Sequence, residues 1–177
     1  MPAEKTTVQW LSRNLKVLSG VSFLQDASSE MLYPILPTFL TVTLGAPAAV
    51  VGIIEGLANG LASMTTVVSG SIADRARRRP LIAIGYGMAA AGKVLIALAY
   101  TWPVVLVGRL VDRLGKGVRG APRDALLVVD VPEGSRGRAF GFHRAADTAG
   151  AVAGPLIGLL LYEPVFDVMS LGRGGGT

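Results

Sequence analysis

Two long apolar runs on either side of a short basic segment restrict this chain to few folds. Positions 48–72 carry Glu55 as their one charge, and positions 81–99 carry Lys93 as theirs. Each run has about the length, roughly 20 residues, that a helix needs to cross a bilayer. Two such helices joined by a few residues form an antiparallel hairpin. Because cationic loops stay on the cytoplasmic side, the basic tip fixes the orientation of the hairpin.

The composition also indicates an integral membrane protein. The chain has 177 residues, of which 51% are hydrophobic and 16% charged, whereas soluble domains average about 25% charged residues. The formal charge of +5 lies mostly between the apolar runs, so topology explains it better than a nucleic-acid partner. The chain has no cysteine and one histidine, which excludes disulfides and thiolate metal sites. Neither a metal nor a cofactor is expected.

The pattern predicts an all-α transmembrane bundle over residues 1–162. Lys and Arg occur near the N-terminus, at 75–79 and at 136 and 138, but not in the three proposed outer turns, at 44–47, 100–103 and 162–164. This alternation predicts a cytoplasmic N-terminus. The glycine-rich residues 163–177 predict a short disordered tail. Five spans are predicted, at about 16–44, 48–72, 81–99, 104–128 and 139–161.

The basic tip contains a recognisable motif. Residues 70–79 resemble the loop between the second and third helices of major facilitator superfamily transporters, Gly-x-Leu-(Ala/Ser)-Asp-(Arg/Lys)-x-Gly-(Arg/Lys)-(Arg/Lys). Ile72 stands for the Leu, and Arg77 replaces the second Gly. The signature residues that match are Gly70, Asp74, Arg75, Arg78 and Arg79.

This resemblance implies a multi-pass transporter of the plasma (inner) membrane rather than an enzyme. The family has about twelve helices in two halves, and this chain resembles only the first five. It therefore looks like an incomplete N-terminal half; a natural truncation, a frameshifted reading frame and a fragment all stay open. In the family, the loop residue matching Asp74 helps to latch the two halves together. A second half or another copy of the chain is then the expected protein partner.

Charged residues inside the predicted spans are the candidate site. An ionised group at the bilayer centre costs roughly 2.5–3.5 kcal/mol on insertion scales, so these groups should face a cavity or pair with one another. They either line a path for a solute and protons or tie the helices together, and both readings stay open for the cluster. Asp26 and Arg109 are the strongest path candidates, whereas His143 is expected at the membrane interface. The predicted path residues are Asp26, Glu30, Glu55, Arg109, Asp112, Arg113, Arg144 and Asp147.

Two glycine faces are predicted at helix contacts. Glycines recur every four residues in the second and fifth spans, so each set lies on one helix face, where small side chains let backbones approach. Residues 154–158 resemble the fifth-helix Gly-Pro-x-x-Gly pattern of drug:proton antiporters, and Arg109 resembles the fourth-helix arginine linked with proton coupling. Mid-helix Pro155 is expected to bend its span. The packing residues are Gly52, Gly56, Gly60, Gly150, Gly154, Pro155 and Gly158.

Three functions compete. The first is a secondary transporter of the facilitator class, which moves a small solute by alternating access with proton coupling, efflux being one direction. The second is a non-transporting membrane module that acts only with a partner chain, because five helices cannot build both walls of the usual path. A membrane enzyme using Asp112, Arg113 and His143 is disfavoured, since no nucleophile, base and orienting group come together in the sequence.

Overall fold

The protein, described by a computed structural model, is built from helices that follow the predicted order. The structure describes residues 10–73 and 77–171, with side chains over 10–71 and 77–162. No strand occurs in these ranges, and the all-α prediction is confirmed. A π-helical turn, Phe39–Thr43, extends α2, and a 3-10 turn, Glu133–Ser135, precedes α6. The helices are α1 (Arg13–Glu30), α2 (Leu32–Thr38), α3 (Ala48–Ala73), α4 (Arg78–Ala97), α5 (Trp102–Leu127) and α6 (Arg136–Leu171).

The first predicted span, 16–44, consists of two helical pieces rather than one. Helix α1 ends at Glu30 and α2 begins at Leu32. Pro34 explains the break, because it has no N–H to donate and its ring crowds the carbonyl four residues earlier, at Glu30. The span ends as predicted, since Gly45 has a φ of 65°. This left-handed conformation is one that glycine adopts at helix ends without steric cost.

Two other predicted boundaries differ from the structure. Arg78 and Arg79 belong to the first turn of α4 rather than to a loop, because a proline at position 80 is tolerated in a first helical turn. Gly70 lies in the last turns of α3, and Asp74 and Arg75 lie outside the described residues. The predicted disordered tail is wrong over 163–171, where α6 continues, since the glycine run begins only at residue 172.

The helices pack in two groups. Helix α5 packs along α4 and α3, whereas α1 and α2 pack along α6. The backbones of α1 and α5 approach each other at few points. We call the boundary between the α3–α4–α5 group and the α1–α2–α6 group the seam. Few backbone contacts cross the seam, so side chains carry much of the interaction across it.

Glycines produce the close contacts within each group. A Cβ added at Gly92 of α4 would lie 2.5 Å from the carbonyl oxygen of Gly108 of α5. On α6, a Cβ added at Gly154 would lie 2.5 Å from the carbonyl oxygen of Ala27 of α1. Such distances leave no room for a side chain, so these helices meet backbone to backbone. A Cβ added at Gly150 or at Gly158, the other two glycines of the predicted α6 face, would likewise clash with a backbone carbonyl oxygen, that of Phe23 or of Met31.

The second predicted glycine face meets no other helix within the part of the chain that the structure describes. Gly52, Gly56 and Gly60 are exposed, and a Cβ added to any of them would meet nothing within 4 Å. Helix α3 packs with another face, on which Ile54 and Ala58 are fully buried. The prediction fails within this bundle because a four-residue spacing defines one helix face but not the element that covers it.

The exterior of the bundle is apolar and its interior is charged. Val67 and Leu160 are 79% and 78% exposed, whereas Arg109 is 0% exposed. In the part of the chain that the structure describes, three helical segments are long and apolar enough to cross a membrane, Ala48–Ser71, Arg78–Ala97 and Glu133–Tyr162. The other two predicted spans correspond to α1–α2 and α5, which carry most of the buried charges. Exposed apolar helices around buried charges suit lipid surroundings rather than water.

Two apolar clusters flank the charged interior. One contains Leu40 and Ile54 near the junction of α2 and α3, together with Val105 near the start of α5. The other contains Leu15 near the start of α1 and Leu127 at the end of α5. The charged groups of α5 lie between these clusters along the helix. The apolar ends therefore limit access of water to the charges between them.

Candidate functional site

Helix α5 presents one charged face to the inside of the bundle. The charges recur every three or four residues, so they lie on one side of the helix. They are Arg109, Asp112, Arg113, Lys116, Arg119 and Arg123. All but Lys116 are buried, and the side chain of Lys116 is 42% exposed. Because the other helices surround this face, each charge of α5 can find a partner on a different helix.

At the α3–α4 end of the face, Arg109 and Asp112 join three helices. The Nε of Arg109 donates to Oε1 of Glu55 on α3 at 2.8 Å, and its Nη2 donates to the same oxygen. Asp112 accepts a hydrogen bond of 2.9 Å from Lys93 on α4. Arg109 Nη1 lies 3.9 Å from Asp112 Oδ2. Two cations and two carboxylates therefore form a neutral, interhelical cluster.

Further along α5, the charges cross the seam to α1. Arg113 lies 3.6 Å from Glu30, and Lys116 lies 3.4 Å from Asp26. Arg119 is 4.0 Å from Asp26, and its guanidinium carbon lies 4.6 Å from the centre of the Tyr86 ring on α4. These ion pairs supply side-chain contacts where the backbones of α1 and α5 stay apart.

At the end nearest the C-terminus of α5, Arg123 connects α1 and α6. Its Nη1 donates to Ser22 Oγ at 2.9 Å, and its Nη2 lies 3.6 Å from Asp147 Oδ2. Asp147 also lies 3.5 Å from Nε2 of His143, whose Nδ1 is 3.1 Å from Ser19 Oγ. His143 is fully buried, because α6 packs its first turns against α1, which covers the ring; its predicted position at the membrane interface stays a prediction.

Seven of the eight predicted path residues meet in this network. The eighth, Arg144, is exposed and forms no ion pair within the described part of the chain. Asp147 pairs with Arg123 of α5 rather than with Arg144 on its own helix. Six further ionisable members of the network are absent from the predicted path residues, namely Lys93, His143, Asp124, Lys116, Arg119 and Arg123. The three- and four-residue spacing along α5 is the sequence feature that identifies the last three.

Several buried atoms of the network retain unused hydrogen-bonding capacity. Among the described residues, Glu55 Oε2, Arg119 Nε and Nη1, and Asp147 Oδ1 have no hydrogen-bond partner. A buried polar group left unpaired costs about 1–3 kcal/mol, so these atoms favour a further polar partner. In the same ranges, no group of three His, Asp or Glu side chains is placed to hold a metal ion.

A comparison with protein families identifies the chain. The family model described as Major Facilitator Superfamily matches residues 18–167. The chain belongs to the major facilitator superfamily. The match extends from α1 into the later part of α6. A superfamily member with apolar spanning helices is a multi-pass membrane protein, and the predicted transmembrane bundle is confirmed.

Curated relatives in the superfamily are longer than this chain. An uncharacterized MFS-type transporter of Methanocaldococcus jannaschii is 37% identical over 151 residues, which are 85% of this chain and 37% of the relative. An uncharacterized protein of Mycobacterium tuberculosis is 36% identical over 170 residues, 92% of this chain and 41% of the relative. The multidrug resistance protein MdtH of Cronobacter sakazakii is 36% identical over 135 residues, 75% of this chain and 34% of the relative. The chain thus spans about two-fifths of its relatives' length.

Proposed function

We propose that this chain forms the N-terminal helical bundle of a secondary active transporter that exchanges a small solute for protons across the plasma (inner) membrane. The main support for this proposal is the series of buried ion pairs along the charged face of α5. Charges in a lipid-embedded bundle are costly unless paired or hydrated, and they are typical of solute and proton paths. Superfamily membership supports transport, and the relative named as a multidrug resistance protein supports efflux of a small organic solute.

The seam offers a physical mechanism for coupling. A carboxylate that takes up a proton loses its charge and releases its cationic partner. At the seam, protonation of Asp26 or Glu30 would weaken the pairs with Lys116 and Arg113, which lie 3.4 and 3.6 Å away. Because few backbone contacts hold α1 against α5, loss of these pairs shifts the balance between two arrangements of the helix groups. Proton uptake and solute release then share the same side chains.

The proposed orientation places the N-terminus in the cytoplasm. In vesicles of known orientation, a single cysteine in this naturally cysteine-free chain reports the side on which it lies. We expect Arg138→Cys to react with an impermeant maleimide from the cytoplasmic side and Tyr100→Cys, at an 87% exposed position, from the opposite side. The physical reason is retention of cationic segments in the cytoplasm. Labelling of both sites from one side would contradict the alternating topology.

Proton flux in proteoliposomes tests the transport function. We expect a solute from a panel of cationic, neutral and anionic drugs to drive proton movement, reported by a trapped pH-sensitive dye. Asp26→Asn, which cannot ionise, is expected to lower this flux at least about tenfold, as removal of a proton-carrying group does. Glu133→Gln is the matched control, because Glu133 has an 87% exposed side chain outside the network.

A second candidate is a membrane module that acts only with a partner chain. It is favoured by one observation, the span of about two-fifths of the relatives' length. If correctly inserted protein shows no flux for any solute or pH gradient alone, transport by the chain itself is excluded. The module would then be established if flux appears when a second, different chain that carries the remaining superfamily helices is added.

A further inference from the structure

We infer that a cavity on the seam binds the oxyanion group of a small monoanionic solute, an assignment that rests on the proposed transport function. The cavity has a volume of about 420 Å³ and is lined by side chains of α1, α3, α5 and α6. A volume of this order accommodates a small organic molecule. The cationic side chains that line it are Lys116, Arg119, Arg123 and Arg144, and the carboxylates are Asp26, Asp124 and Asp147.

The charges around the cavity leave one positive charge unbalanced. Asp26 is paired by Lys116 at 3.4 Å, and Arg123 lies 3.0 Å from Asp124 and 3.6 Å from Asp147. Arg144 reaches none of these carboxylates within ion-pair distance. With four cations and three carboxylates, one negative charge neutralises the lining, whereas a dianion would reverse its sign. The balance therefore favours a monoanion over a neutral, cationic or dianionic solute.

Arg119 provides buried donors for the anion. Arg119 lines the cavity with a side chain that is 2% exposed. Its Nε and Nη1 are closed to solvent and have no hydrogen-bond partner within the described residues, so an anion reaches these two donors when neighbouring side chains move aside. The nearest carboxylate, Asp26, is 4.0 Å from Nη2, which is too far for a hydrogen bond. A buried guanidinium with free donors favours an oxyanion, because charge-assisted N–H···O bonds are the strong ones.

Lys116 and Arg144 complete the site from its more exposed side. The Lys116 side chain is 42% exposed and Arg144 is exposed, so both can meet a solute before it reaches Arg119. A monocarboxylate has one charge near neutral pH, whereas a phosphate monoester with a second pKa of about 6 has nearly two. The charge balance therefore favours a monoanion, of which a monocarboxylate is the common organic form, over a phosphate monoester.

Calorimetry with benzoate and two matched analogues tests this assignment. The full chain, purified in neutral detergent, is titrated at constant ionic strength with benzoate, with neutral benzamide and with dianionic phthalate. We expect benzoate to bind at least about tenfold more tightly than either analogue, because only it balances the lining charge. Arg144→Gln should weaken benzoate binding about tenfold, as loss of one charge-assisted contact does. Arg136→Gln, an exposed change on the same helix outside the cavity, should leave it unaltered.

The possible outcomes separate this assignment from its alternatives. Equal affinity for benzoate and benzamide, or unchanged benzoate affinity in folded Arg144→Gln, would overturn it. Nanodiscs in which phosphatidylglycerol replaces phosphatidylcholine test a lipid occupant. If benzoate binding is lost in them, the cavity holds a lipid headgroup, and the assignment to a solute is overturned. Flux of a neutral solute without benzoate binding would remove the anion site and leave the transport function. Benzoate binding without any flux would support the site and contradict transport by this chain.

Discussion

Arg109→Met is expected to lower the free energy of unfolding by about 3 kcal/mol, and the double variant Arg109→Met/Glu55→Leu is expected to regain most of that loss. Arg109 is 0% exposed and donates two hydrogen bonds to Glu55 Oε1. Removing one partner of a buried ion pair costs about 3–5 kcal/mol, because the other charge is left unpaired. The lower end of that range applies, since the Glu55 side chain retains 19% exposure. Apolar replacement of both partners removes this penalty.

Asp112 does not complicate the comparison. It keeps its hydrogen bond of 2.9 Å to Lys93 when Arg109 is removed, and its separation of 3.9 Å from Arg109 indicates a weak contact. Unfolding by SDS in mixed micelles, followed through the fluorescence of Trp10 and Trp102, gives the free energies for a double-mutant cycle. A coupling energy near zero between Arg109 and Glu55 would contradict the proposed pair.

A surface pair on the same protein serves as control for this cycle. Arg136 and Glu133 lie 3.4 Å apart with side chains 49% and 87% exposed. An exposed pair contributes about 0–1 kcal/mol, so Arg136→Met should change the stability little. If the double variant Arg109→Met/Glu55→Leu folds normally but shows no flux, the buried pair serves transport beyond its role in stability.

The helix order could be predicted from sequence because the bilayer sets both span length and loop charge. Apolar runs of about 20 residues and alternating Arg-rich segments lead directly to the hairpin of α3 and α4. The break at residue 31 was also accessible, since Pro34 cannot continue the backbone bonding of α1. These features depend on residues that are close together in the sequence, so they can be predicted without knowledge of the tertiary packing.

The partners of the buried charges could not be predicted in the same way. Spacing within α5 favours pairing along the helix, as between Arg109 and Asp112, but their separation is 3.9 Å. The closer partner of Arg109 is Glu55, 54 positions away in the chain. Which helix covers which face depends on packing of the whole bundle. The same limit explains why the Gly154 face meets α1 while the Gly56 face is exposed.

That difference between the two glycine faces predicts opposite effects for one substitution. Gly154→Ala is expected to destabilise the protein by about 1–3 kcal/mol, the usual cost of overpacking a tight contact. The added Cβ would lie 2.5 Å from the carbonyl oxygen of Ala27 and 3.0 Å from the backbone nitrogen of Met31. Because backbone atoms of a helix cannot move aside individually, α1 and α6 must separate along their contact.

Gly56→Ala is expected to leave the stability unchanged or to raise it by up to about 1 kcal/mol, the difference in helix propensity between glycine and alanine. A Cβ at Gly56 meets nothing within 4 Å, so no packing cost opposes this gain. SDS unfolding of the two variants in parallel measures both signs under identical conditions. If Gly56→Ala destabilises the protein as much as Gly154→Ala does, a further helix must cover the Gly56 face. That helix would come from association with another copy of this chain.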